Sequence, residues 1–105
     1  MRTQPNSEIQ NIQPKAFGIK SVIVSGNVLE TIAPNYVKKL NILVPKVAGY
    51  TPLNHISLRS ISNGMTVSGV SLNDAKTSID VTAVNLRTIN VDFNEITLFV
   101  LYVTV

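Results

Sequence analysis

The chain has 105 residues, a net charge of +3 and only 14% charged side chains, against 45% apolar ones. One domain with an unaided core fits that length, and the apolar content excludes a disordered chain. The absence of cysteine excludes disulfides, thiolate metal sites and thiol nucleophiles.

Residues 1–17 are rich in Gln and Asn, carry Pro5 and Pro14, and show no periodicity. They read as an N-terminal arm or linker, and they lack the apolar stretch of a signal peptide. Residues 18–105 read as the folded domain. There the chain breaks into short β-branched runs bounded by Gly, Pro and Asn. The first is "GIKSVIVSG", followed by "NVLETIA" up to Pro34 and "YVKKLNILVP" up to Pro45. A Gly/Pro loop, "KVAGYTPLN", leads into "HISLRSIS", which alternates with Ile56 and Leu58 on one side and His55, Ser57 and Arg59 on the other. Asn63–Gly64 predicts a hairpin into "MTVSGVSL". "NDAK" turns the chain into "TSIDVTAV", and "LRTINVDF" precedes the final run. About eight short strands with turns roughly every ten residues predict an all-β fold, an antiparallel β-sandwich of jelly-roll-like type.

The last run, "ITLFVLYVTV", is apolar on both faces. Ile96, Leu98, Val100 and Tyr102 lie on one side, and Phe99, Leu101 and Val103 on the other. Such a strand is either covered twice within one chain or packed in the core on one side and against identical subunits on the other. The second reading is preferred, because a large apolar patch is unusual on a monomer. Phe99, Leu101 and Val103 are then the candidate oligomer interface. No apolar run reaches the roughly 20 residues of a membrane-spanning helix, and spanning strands would need repeated lipid-facing alternation. Membrane insertion is therefore not expected.

Signals for chemistry are sparse. His55 is the single histidine and sits on a polar strand face, and no G-x-S-x-G elbow is present. Asp92 and Glu95 lie beside what reads as a turn and are not expected to act as paired acids; with Asn94 they match no EF-hand pattern. No phosphate-cradling glycine loop occurs, and the basic residues form no stripe with stacking aromatics. The expectation is a protein that is not an enzyme, without cofactor, metal or nucleic-acid partner. The remaining candidates for ligand binding are Tyr50, in its Gly/Pro loop, with His55 and Arg59, since loop aromatics stack on sugar rings.

The order V-P-x-V-x-G-Y-T-P-L over Val44 to Leu53, with the closing "LFVLYV" of Leu98 to Val103, resembles the C-terminal head domains of bacteriophage tail fibre and receptor-binding proteins. That resemblance spans about Gly18 to Val105. It implies a β-sandwich or jelly-roll head, a homotrimer with the final strand at its buried centre, and adhesion to a bacterial-surface carbohydrate. It also implies a location in the virion after synthesis in the host cytoplasm. Residues 1–17 show no collagen-like or heptad shaft pattern, which fits either an excised domain or a small stand-alone virion protein. The alternative function is a structural virion protein (a capsid decoration, head fibre or baseplate/tail connector) that binds other virion proteins, with the arm as a docking segment.

Overall fold

The computed structural model of the protein describes residues 18–105; the arm expected over residues 1–17 lies outside them. Six strands follow in chain order: β1 Ile19–Ile32, β2 Val37–Leu43, β3 Tyr50–Ile61, β4 Met65–Leu72, β5 Ser78–Asn85 and β6 Val91–Thr104. They form two antiparallel sheets of three, ordered β1-β6-β3 and β2-β5-β4. The fold is all-β, as expected, and sandwich-like, since one apolar cluster is shared by both sheets.

The strand number corrects the expectation of about eight, and three-stranded sheets differ from the two four-stranded sheets of a jelly roll. Two pairs of predicted strands are continuous. "GIKSVIVSG" and "NVLETIA" form β1, whose pairing with β6 shifts between Asn27 and Glu30, with Leu29 at a φ of 56°. Val91–Phe93 likewise runs on into the last predicted strand. There two successive exposed residues, Asn94 and Glu95, reverse the alternation between buried Phe93 and buried Ile96. The Ser62 hydroxyl accepts the amides of Asn94 at 2.8 Å and Glu95 at 3.2 Å. A bulge of this kind keeps a strand continuous while switching the face its side chains address.

Asn63–Gly64 does reverse the chain, with Gly64 at a φ of 99°. However, β3 and β4 lie in different sheets, so the segment is a bridge between sheets and not the predicted hairpin. Among the described residues, the one hairpin connecting paired neighbours within a sheet is β4–β5, turned by residues 73–77. Asn73 builds it: its Oδ1 accepts the amides of Thr77 at 2.8 Å and Ser78 at 3.1 Å. This is an Asx-type turn, in which a side-chain oxygen stands in for a backbone carbonyl.

The core lies between the two central strands. From β6 come Phe93, Ile96, Leu98, Val100 and Tyr102, all fully buried, and from β5 come Ile79, Val81 and Ala83. Gly26 of β1 lets the sheets close, because a Cβ there would come within 2.9 Å of Ile42 Cδ1 on β2. At one end, fully buried Asn85 ties three segments together. Its Nδ2 donates to the carbonyls of Ile32 and Ile89, each at 2.8 Å, and its Oδ1 accepts the Arg87 amide at 2.8 Å. Every polar atom of that side chain is thereby paired, apart from one lone pair.

Candidate functional site

Two surfaces stand out, and both are organised by β6. The first is the outward face of its sheet. In-register neighbours place Ile19, Val103 and Thr51 in one row, then Ile23, Phe99 and Ser57, then Ser25, Thr97 and Ser60. Ile19 and Ile23 are 57% and 51% exposed, Phe99 is 36% exposed, and Leu101 and Val103 are half-buried. Thr97 is sheltered and shares a 2.6 Å hydrogen bond with Ser60. None of the nine residues in these rows is Asp, Glu, Lys or Arg. His55 joins this face: with Ser21, Ser57, Phe99 and Leu101 it lines a shallow hollow. The three residues expected at an oligomer interface, Phe99, Leu101 and Val103, thus share one outward face with His55, which no other described residue covers and which reaches charge at one end, where exposed Glu95 pairs with Asn27 and exposed Arg59 adjoins Ser60.

The second surface is a cleft of about 630 Å³ at the end of the molecule where β6 finishes. Volumes in this range suit a small ligand. Its walls are the β2–β3 loop, the start of β3 and the β4–β5 turn, and Tyr102 also lines it. Several local interactions hold these walls. The Val44 amide donates to the Thr77 carbonyl at 3.0 Å, linking loop to turn, and the Tyr50 amide donates to the Val47 carbonyl at 3.0 Å. Gly49 takes a φ of 80°, the left-handed region that glycine enters without penalty, and its carbonyl accepts the Val105 amide at 3.1 Å. The Tyr102 hydroxyl donates to the Pro45 carbonyl at 2.6 Å. Burial pushes the Tyr102 phenol above its ordinary value, because the phenolate loses more hydration than the neutral form.

The lining is largely apolar, with Val44, Pro45, Val47, Ala48 and Pro52 around Tyr50. Cations border it. Lys46 and Lys76 are exposed lining residues, and Lys20 sits with its ammonium 4.7 Å from the centre of the Tyr50 ring. That spacing is a cation–π contact, which orders an otherwise free side chain.

The three ligand-binding candidates are not brought together. Tyr50 lines the cleft, His55 lies on the outward face of the β6 sheet, and Arg59 is exposed at a register shift in β3 between Leu58 and Ser60. Lys20, Lys46 and Lys76 were not singled out in the sequence, because they are 26 and 30 positions apart and only the fold gathers them. The acids do not form a site. Asp92 and Glu95 lie within β6 and not beside a turn, and Asp92 accepts the Thr31 hydroxyl at 2.9 Å. Among the described residues, no three His, Cys, Asp or Glu side chains gather as metal ligands would. Comparison with protein-family models, curated proteins and solved structures gives no match.

Proposed function

We propose that the chain is a non-enzymatic virion adhesion module that assembles as a homotrimer and attaches to a bacterial-surface carbohydrate. The observation that carries this reading is the apolar outward face of the β6 sheet, free of charged side chains from the Ile19–Val103 row to the Ser25–Thr97 row. A face with Phe99 and Ile23 at its middle is stabilised by being covered, at about 25 cal/mol per Å² of apolar surface removed from water. The rows around Phe99 carry no Asp, Glu, Lys or Arg, and charge enters only at the far end with Glu95 and Arg59, so two copies of this face can meet without like charges at their centre. Sequence resemblance to phage fibre heads supplies the number three and the adhesive role, with the cleft beside Tyr50 as the place for a sugar. Identical sites on several subunits turn weak contacts into avidity.

Light scattering on the purified chain tests the assembly: three copies of the 11.4 kDa chain give 34.2 kDa. Binding of that assembly to a panel of bacterial cells and cell-wall polysaccharides tests the adhesion. A monomer at 11.4 kDa removes the trimer. An intact trimer that attaches to no cell or glycan but co-sediments with virions makes the chain a structural component.

A further inference from the structure

We infer that the cleft bordered by Lys20, Lys46 and Lys76 binds an acidic saccharide whose negative charge is a ring carboxylate, as in a uronic acid. This deepens, and rests on, the proposed carbohydrate adhesion. Three observations carry it.

First, the cleft is apolar where a sugar ring would lie: Pro45, Val47, Pro52 and Tyr50 offer surfaces to the C–H faces of a pyranose. Second, the charge the cleft offers is of one sign. Among the described residues its lining has the hydroxyls of Tyr50, Thr51 and Thr77, which can serve any sugar, but no Asp, Glu, Asn or Gln. Its charged groups are ammonium donors, which cannot accept a hydrogen bond and which favour an anion.

Third, those ammonium groups form no ion pair among the described residues. The ion pair among the described residues is Lys38–Glu30, on neighbouring parts of β1 and β2 and away from the cleft. The nearest acid in sequence, Asp74, lines a separate groove on the other side of Lys76 and forms no ion pair with it. Lys20 is held in place by the Tyr50 ring, so one cation is ordered in advance of any ligand. Separate ammonium groups on long stems suit a single carboxylate per ring. The denser charge of a phosphate is more often met by an Arg fork or a set of convergent backbone amides, and among the described residues no arginine lines the cleft.

The test uses the full chain, with an oligogalacturonide as probe, neutral dextran oligosaccharides as the uncharged control and inorganic polyphosphate as competitor. Binding is read by calorimetry at low salt and again at high salt. The expected result is binding of the oligogalacturonide that weakens with salt, and weakens about fivefold or more in the Lys46→Gln, Lys76→Gln double variant. Both substitutions are at exposed positions, so melting temperature and solution mass should not change. Dextran bound as well as the uronide, or uronide binding unchanged in the double variant, overturns the acidic specificity and leaves carbohydrate adhesion standing. Polyphosphate displacing the uronide at lower concentration overturns the carboxylate assignment. Attachment of the wild-type chain to bacterial cells with no affinity for the oligogalacturonide refutes the inference alone. Failure on cells and on every glycan refutes the adhesion reading as well.

Discussion

The central strands β5 and β6 hold equivalent positions, each flanked by two antiparallel partners and each lining the shared core. Their outward faces differ. On β5, Asp80 and Thr82 point away from the core, beside Asn41 and Lys39 of β2 and Ser71 and Gly69 of β4. The Asn41 amide donates to Asp80 at 2.9 Å and to the Ser78 hydroxyl at 3.0 Å, so that surface is completed by its own polar groups and by water. On β6 the same positions are Thr97, Phe99, Leu101 and Val103. Strands in one sandwich need burial on one side only, so an apolar second side is not required by folding. In the proposed assembly the β6 face would serve contact and the β5 face solvation.

The largest expected effect comes from reversing that difference. Phe99→Lys places a charge in the middle of the apolar face and should reduce a 34.2 kDa assembly to the 11.4 kDa chain. Thr82→Glu, at the matching place on β5 and opposite Lys39, should leave the mass unchanged. Light scattering reads both. Equal behaviour of the two variants would remove the distinction between the faces.

The inward faces should behave alike. Leu98→Ala on β6 deletes a fully buried side chain and should cost about 3 kcal/mol in chemical denaturation. Ile79→Ala on β5 should cost a similar amount, because both contribute to the same cluster. If only the β6 variant were destabilised, that sheet alone would be carrying the core.

Asn85→Ala tests the end of β5 in a different way. It leaves the Ile32 and Ile89 carbonyls and the Arg87 amide without their partner in a buried place, at a cost of about 2 kcal/mol or more. Asn85→Asp should not rescue it, since a carboxylate cannot donate to the two carbonyls. Urea midpoints of the two variants measure this, and recovery by Asp would show that the contact to Arg87 dominates.

How much of this was legible in the sequence depends on the distance over which each feature is encoded. Alternation is local, and it correctly marks β2, β4 and β5 and both sides of the closing run. Continuity across a bulge is not local in that sense. At Asn94–Glu95 the alternation reverses and looks like a turn, because the hydroxyl that satisfies those two amides belongs to Ser62, more than thirty positions away. Leu29 takes a left-handed φ without being glycine or asparagine, so nothing in its identity separates a bulge from a break. At Asn63–Gly64 the residues encode a reversal but not which sheet receives the chain. The cleft was half legible: Pro45, Lys46 and Tyr50 are neighbours in one loop, whereas Lys20, Lys76 and Tyr102 arrive from β1, the β4–β5 turn and β6.

Tyr102 carries the smallest expected effect and joins the two ends of the comparison, since it is the last fully buried residue of β6 and also lines the cleft. Tyr102→Phe keeps the ring but removes the hydroxyl bonded to the Pro45 carbonyl, and should cost about 1 kcal/mol near neutral pH. Its pH dependence is more specific than its size. The phenol is raised above its ordinary value in the folded chain, so the unfolded chain releases this proton first as the solution becomes alkaline. Above a pH of about 10 the unfolded state therefore binds fewer protons than the folded one, and stability falls with rising pH until the folded phenol itself ionises. The stabilisation from the neutral buried phenol is fully present below that pH and lost above it. Tyr102→Phe should be less stable than wild type at pH 8 and should lose less stability on passing to pH 11. Parallel alkaline profiles for the two proteins would mean that Tyr102 ionises as readily in the fold as out of it, and that the cleft end of β6 admits water.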